Sequence, residues 1–308
     1  MLPMVDSNFE SYYASKLDPY CNSKDCIVSL KKHNIPVLLV LSKHTAQVKA
    51  LWNFQGLDYL PLEWYPHAVT WPKALPFGEK LPGFDEGFIY PLNASSILPP
   101  LTLGVTPGEI VLDGASAPGG KTLVLWQQMM NEGLLVANDM SYVRLMRQKN
   151  LMNARGIENV VFESQPLETL YKKYPETFDA ILLDAPCSSE KHVLAKPEEL
   201  TKWTPQRIKN LAKRQIQLFD GAIKALRIGG RIVYSTCALL ADENEDIVSN
   251  ILAMHPELQL ESWELDDVPG MQGFEVIGNS FDPKNVRRIL PHIEKHMDPM
   301  FIATFVKN

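Results

Sequence analysis

No stretch of this 308-residue chain approaches ~18 uncharged apolar residues, so no membrane-spanning helix is expected. Met1 to Tyr13 carries Asp6 and Glu10 without a basic start, which argues against a signal or transit peptide. Cysteine is scarce: there are four, with no CxxC or zinc-type cluster, and Cys21 and Cys26 are too few to hold a metal by themselves. No metal is therefore expected, and so few thiols fit a reducing, cytoplasmic compartment. Neither GxGxxG nor GxxxxGK[ST] is present, so two common phosphate-binding turns are excluded. Internal repeats and low-complexity segments are absent as well.

What is present begins with two cysteines fifty residues apart, each at the end of a hydrophobic run. The first run is Phe178-Asp-Ala-Ile-Leu-Leu-Asp184, followed by Ala-Pro186-Cys187-Ser-Ser; the second is Arg231-Ile-Val-Tyr-Ser-Thr-Cys237. Both have the length and branched-aliphatic content of buried parallel strands. In an open α/β sheet the carboxyl ends of such strands form the ligand crevice. Two thiols would then face one pocket beside the Asp184 carboxylate, a setting for covalent chemistry with one sulfur as nucleophile. Taken singly, each cysteine also reads as a small buried hydrophobe.

A third element precedes them. Ile110-Val-Leu-Asp113 runs into Gly-Ala115-Ser116-Ala117-Pro118-Gly119-Gly120-Lys121-Thr122, a small-residue turn opening a helix from about Thr122 to Asn131. Small residues admit a ligand close to the backbone, and a helix N-terminus favours an electronegative group. About ~22 residues on, Val136-Ala-Asn-Asp139 ends a second strand with an acid, the usual place for a group that holds ribose hydroxyls. A generic βαβ unit with no nucleoside ligand would look similar.

Together these segments resemble the Sun-domain (NSUN, RsmF-like) family of S-adenosylmethionine-dependent RNA cytosine-C5 methyltransferases. The family pattern D-x-C-A-A-P-G-G-K-T reads here Asp113 to Thr122, D-A-P-C-S is intact from Asp184 to Ser188, and Y-S-T-C is intact from Tyr234 to Cys237. The segment from Tyr90, the stretch with Trp203, Gln215 and Gly230, and Arg288-Ile-Leu-Pro-His292 extend the likeness over about residues 60 to 308. Two departures stand out. Ala115-Ser116 replaces the usual Cys-Ala, and Asn159-Val-Val-Phe-Glu-Ser-Gln165-Pro lacks the acid that contacts the cofactor adenine. Gln165 is left as a neutral acceptor, a weaker partner.

The resemblance implies a Rossmann-like seven-stranded methyltransferase α/β sheet with helices on both faces. It implies a cofactor site from Ala115, Ser116, Ala117, Pro118, Gly119, Gly120, Lys121, Asp139, Arg144, Gln165, Asp184 and Pro186. It also implies Cys237 as the nucleophile at cytosine carbon 6 and Cys187 as the residue assisting product release. Asp184 is expected to contact N3 and the exocyclic amine, protonated through a raised pKa, and Lys121 to orient the base unless it simply points to solvent. A non-catalytic RNA-binding relative of the same fold is the alternative. An exocyclic-amine methyltransferase would carry (N/D)PP(Y/F) where Asp184-Ala-Pro-Cys stands.

The partner so implied is RNA, ribosomal or transfer, acted on by a monomer. A net charge of −6 is unusual for that role, since phosphate contacts dominate affinity. Basic residues do cluster: Arg144, Arg147, Lys149 and Arg155 lie in one stretch without acids. Lys202 to Arg231 holds eight basic residues against Asp220, a local +7. Part of this second cluster is expected to face RNA, with Trp203 as a candidate for base stacking or for the core. Residues 1–85 read as a small α+β module for positioning RNA, with a Pro/Trp-rich link from Pro61 to Pro82, and 86–308 as the catalytic domain. Asp242 to Leu252 reads as a helix with Asp242 as N-cap and Glu245 completing a capping box.

Overall fold

The computed structural model describes residues 3–32, 34–73, 76, 78–263 and 267–308, the first five of them by backbone alone. Three of the residues in the Pro61-to-Pro82 link, 74, 75 and 77, lie outside the described residues. The chain opens with helices α1 (Pro3–Leu17) and α2 (Ser23–Leu30), the latter started by Asn22, whose side chain accepts from the Asp25 N–H at 3.0 Å. Then come β1 (Val37–Val40), α3 (Thr45–Phe54), β2 (Pro61–Leu62), β3 (Tyr65–Val69) and β4 (Ile89–Leu92). The four strands form an antiparallel sheet in the order β2-β3-β1-β4. The link read as patternless thus contains a short hairpin, too brief for its alternation to register. This sheet also takes in β4, beyond residue 85.

The larger part runs α4 (Leu98–Leu103), β5 (Ile110–Asp113), α5 (Gly120–Gln128), β6 (Leu134–Asn138), α6 (Tyr142–Asn153), β7 (Val160–Glu163), α7 (Leu167–Leu170) and β8 (Phe178–Asp184). It continues through α8 (Glu190–Ala195), α9 (Pro197–Leu200), α10 (Pro205–Ala225), β9 (Leu226–Thr236), α11 (Glu245–Met254), β10 (Leu258–Leu260), β11 (Met271–Gln272), β12 (Val286–Ile289) and β13 (Met300–Lys307). The sheet order is β11-β12-β13-β9-β8-β5-β6-β7, with β10 added against β13. Strands β5 to β9 are parallel, and β13 and β12 are antiparallel. The expected α/β sheet of seven strands is there; the short β10 and β11 bring it to nine.

Alternation along the strands divides the core between the two faces of this sheet. Val111, Leu135, Leu182, Val233 and Ile302 face one side with α4 and α5, where Leu98, Leu103, Leu123 and Leu125 cover them. Their neighbours Leu112, Val136, Ile181, Ile232 and Phe301 face the other, under Leu218 and Phe219 of α10 and Ile247 and Ile251 of α11. Each such side chain contributes about 1.5–3 kcal/mol by leaving water. The small sheet packs Leu38 and Val40 against Val48 and Trp52 of α3, and its opposite face joins the first of these cores.

Among the described residues, α1 and α2 share no core cluster with the small sheet. Phe9, Tyr13, Cys26 and Leu30 share a cluster with Trp203, Ile208, Leu239 and Phe274. Trp203 is 8% exposed and packed edge-on against Phe9 and Tyr12 and at a tilt against Tyr13, so it is a core residue and not a base platform. The capping box at Asp242 does not form either. α11 starts at Glu245, after a 3-10 turn over Ala241–Glu243, because the two acids are used elsewhere. Asp242 pairs with Lys16 at 3.3 Å, and Glu245 is buried in an ion pair with Arg288.

Candidate active site

The residues expected to form the cofactor site and both cysteines lie at or near the carboxyl ends of the parallel strands. Beyond β5, the turn to α5 passes through Gly119 at φ +112°, a conformation that side-chain-bearing residues rarely adopt, and a Cβ there would meet Gln148 at 2.9 Å. A buried chain of polar groups fixes this turn. The Ser116 hydroxyl donates to Gln148 at 2.8 Å, the Gln148 amide donates to Thr122 at 2.8 Å, and the Thr122 hydroxyl donates to Asp113 at 2.7 Å. Burial pushes the Asp113 carboxyl up to about 7. Helix α5 itself spans Gly120–Gln128, starting and ending earlier than the sequence pattern suggested.

Asp139, at the end of β6, is buried and accepts from the backbone N–H of Ala117 at 3.2 Å and of Ser141 at 2.8 Å. Arg144 lies 3.7 Å from the same carboxylate and also donates to the Ala117 carbonyl. Beside it, Asn138 ties three loops together: its side chain donates to the Gly114 carbonyl at 3.2 Å and accepts from the Gln165 N–H at 3.1 Å. Gln165 is exposed and lines the cavity below, whereas Glu163, the acid ending β7, is turned to Lys173 and Tyr174.

The two cysteines meet because β8 and β9 are adjacent and in register, with Asp184 opposite Ser235. The Ser235 hydroxyl donates to Asp184 at 2.8 Å. Just beyond, the Cys187 and Cys237 sulfurs are 3.1 Å apart and unbridged. Cys187 is held well above the ordinary thiol range by its hydrogen bond to Cys237, by burial, and by the nearby Glu243 and Glu190. Either sulfur can be the donor in this contact.

Lys121, at the first turn of α5, lies 2.8 Å from Asp184 and does not simply point to solvent. Burial acts to strip its proton, but the Asp184 carboxylate outweighs this and holds the ammonium above its ordinary range. Asp184 accepts from an ammonium and a hydroxyl.

A cavity of about 490 Å³ opens over these groups. Asp139, Arg144 and Gln165 line one part, Leu167, Pro186 and Leu218 give it apolar walls, and Asp184 with both cysteines lines the rest. Ala115 and Ala117 separate it from a second cavity of about 260 Å³, lined by Ser116, Pro118, Gly120 and Lys121 and by Tyr90 and Asn93. The twelve cofactor positions expected from the sequence thus border one or both cavities, apart from Gly119, buried in the turn itself. Sequence reading missed Gln148, Asn138, Glu190 and Glu243, which hold the site from behind. Single polar residues on separate elements form no motif to reveal that use. Among the described residues no cluster of three His, Cys, Asp or Glu side chains could hold a metal, and no helix is long and apolar enough to cross a membrane.

The basic cluster between Lys202 and Arg231 is less positive in space than in sequence. Ion pairs join Arg207 to Glu199, Arg214 to Glu168, Lys224 to Asp220, Arg227 to Asp179 and Arg231 to Glu109. Eight basic residues less these five acids leave +3, not +7. Arg155 is likewise occupied, donating to the Leu151 and Ile89 carbonyls.

Comparison with known proteins bears directly on this arrangement. The family described as 16S rRNA methyltransferase RsmB/F matches residues 100–306. The ribosomal RNA small subunit methyltransferase F of Shewanella amazonensis is 33% identical over 252 residues, 79% of this chain and 53% of that protein. Its namesake from Cronobacter sakazakii is 38% identical over 209 residues, 66% of this chain and 43% of that protein. The chain thus spans about half the length of the curated relatives it matches. Among solved structures, a methyltransferase homologue from Pyrococcus horikoshii superposes with a TM-score of 0.79 at 29% identity, covering 93% of this chain and 90% of that one. NSun6 from the same organism, solved with SFG, gives 0.83 at 20% identity over 97% of each chain, which speaks for the fold alone. With the match running through both cysteine motifs and the glycine turn, this chain belongs to the RsmB/F family of rRNA methyltransferases.

Proposed function

We propose that this protein transfers a methyl group from S-adenosylmethionine to carbon 5 of a cytosine in RNA through a covalent adduct between Cys237 and carbon 6. One observation carries the reading: two free sulfurs 3.1 Å apart share a cavity with the Asp184 carboxylate, which is paired at 2.8 Å with Lys121 on the wall of the neighbouring cavity. The cavity's chemistry suits the cofactor: an acid at Asp139 for ribose hydroxyls, apolar walls for a flat ring, and the carboxylate of Asp184 near the cationic end. When bound, the cofactor supplies an electrophilic methyl on a positively charged sulfur.

Carbon 5 of cytosine is a poor nucleophile until a thiolate adds to carbon 6 and turns the ring into an enamine. Cys237, the sulfur that closes the Tyr234-to-Cys237 motif, is the one that makes that addition. Asp184 accepts from the exocyclic amine, and the Lys121 ammonium supplies positive charge or a proton to the ring as the adduct forms. Release requires a base, here a solvent water, to take the carbon 5 proton as the carbon 6–Cys237 bond breaks and the sulfur departs as thiolate, with the Cys187 S–H beside it to return a proton to that sulfur. The target atoms are stacked in a duplex, so the base must be unpaired or flipped to enter. Residues 1–85 serve to position RNA and 86–308 form the catalytic domain.

Bisulfite sequencing of total RNA with and without the gene tests this reading. Loss of protection at one cytosine in its absence supports it, and regained protection on adding back the wild-type but not the Cys237→Ala gene assigns the sulfur. An RNA-binding relative without catalysis would leave every protected cytosine unchanged.

A further inference from the structure

The chemistry proposed above uses Cys187, Cys237, Asp184 and Lys121, and leaves unused two carboxyls directly behind them. Glu190 and Glu243 are both 0% exposed. Both are anchored on Ser188, the residue after Cys187: its backbone N–H donates to Glu243 at 3.0 Å and its hydroxyl to Glu190 at 2.8 Å. Gln215 of α10 adds a bond to Glu243 at 2.9 Å, and Tyr13 of α1 adds one to Glu190 at 3.0 Å, joined by the Leu239 N–H at 3.3 Å. These donors are all neutral. The second oxygen of each carboxyl is buried without a hydrogen-bond partner.

Neutral donors do not compensate two full negative charges in a space closed to water, so such a pair holds a proton. Burial, with the charge of Glu190, pushes Glu243 up to about 7, and burial raises Glu190 as well. The other ionisable groups around the pair do not offset it. Tyr234 gives its proton to the Glu243 backbone carbonyl at 2.7 Å, Arg288 is bound to Glu245, Cys26 is a buried thiol, and Lys121 and Asp184 cancel each other.

We infer that the buried pair of Glu190 and Glu243 keeps Cys187 a protonated thiol, and so leaves Cys237 as the sulfur that acts as thiolate. The two glutamates are positioning residues: they touch neither base nor cofactor and act through Ser188 and the sulfur next to it. The inference deepens the reading of Cys237 as nucleophile and rests on it, but it concerns thiol protonation and can be read without RNA.

The test is alkylation of the full-length protein by iodoacetamide across about pH 6–10, with each cysteine followed by peptide mass spectrometry. In the wild type, Cys237 should be modified before Cys187. In Cys237→Ser, which removes the sulfur partner, Cys187 should still titrate above the ordinary thiol value of about 8.5. Adding Glu243→Gln should lower that midpoint by about one pH unit, so Cys187 labels ~tenfold faster at a fixed pH below it. Glu190→Gln should act in the same direction and serves if Glu243→Gln does not fold, as judged by circular dichroism. Wild-type protein that labels Cys187 first, or Cys187 profiles unchanged by either glutamine in folded protein, overturns the inference. If the profiles shift as expected while no RNA is methylated, the inference on the thiols stands and the proposed function falls.

Discussion

Replacing Arg288 by methionine should be among the most destabilising single changes outside the cavity. Arg288 is 1% exposed, and its guanidinium donates twice to Glu245, once at 2.6 Å, and once to the Leu239 carbonyl at 2.8 Å. It lies 3.8 Å from the Phe274 ring centroid and 5.4 Å from that of Phe301. Methionine fills much of the space but leaves Glu245 as a buried carboxylate with a single remaining donor, the Phe274 N–H at 2.8 Å. Breaking a buried pair in this way costs about 3–5 kcal/mol, because the stranded charge is no longer compensated. For a chain of 308 residues, unfolding entropy near the midpoint is about 0.65 kcal/mol per degree, so Tm should fall by about 5–8 °C. The double variant Arg288→Met, Glu245→Gln removes the stranded charge and keeps an acceptor for Phe274, and should regain at least half of that loss. Thermal unfolding followed by circular dichroism reads both. A drop under 2 °C for the single variant, or a double variant no more stable than the single one, refutes the argument.

Three further outcomes follow from the site. Cys237→Ala should give no covalent RNA species, whereas Cys187→Ala should accumulate one that survives denaturing gels and disappears with RNase; the reverse pattern would exchange the roles of the two sulfurs. Asp139→Ala should weaken S-adenosylmethionine binding by about 1.5–3 kcal/mol, the scale of a lost charged acceptor, and calorimetry showing unchanged affinity would remove the ribose assignment. Asp113 is pushed up to about 7 in the fold by burial, so from about pH 4 to 7 the folded state keeps a proton that the unfolded chain has lost. Its contribution therefore falls as pH rises through that window, by at most ~1.4 kcal/mol per unit. Denaturant titrations at pH 5 and 8 should show Asp113→Asn gaining stability relative to wild type at the higher value, and parallel curves would count against it.

The central sheet was legible because buried parallel strands write short continuous apolar runs, as in residues 180–183 of β8 and 232–234 of β9. The glycine turn and both cysteines were legible for another reason: each follows a strand end, where topology alone predicts a crevice. Trp203 could not be placed, because an aromatic in a polar stretch reads equally as surface or core, and Phe9 and Tyr13, which bury it, lie far away in sequence. The basic cluster misled since four of its partner acids, Glu109, Glu168, Asp179 and Glu199, lie outside it in sequence. The capping box failed because a local pattern competed with a tertiary ion pair to Arg288 and lost.

The alignment of Asp184 with Ser235 has a consequence for what this architecture tolerates. The sulfur-to-sulfur spacing is set by two neighbouring strands and the few residues beyond each, not by the crossover through α8, α9 and α10 that connects them. Length can be gained or lost in that crossover's loops while the two thiols stay in touch. A single residue removed from β8 or β9 would instead turn every later side chain on that strand to the opposite face and part the sulfurs. Variation in reach toward different RNAs can thus accumulate in the connections, with the chemistry anchored to the ladder between two strands.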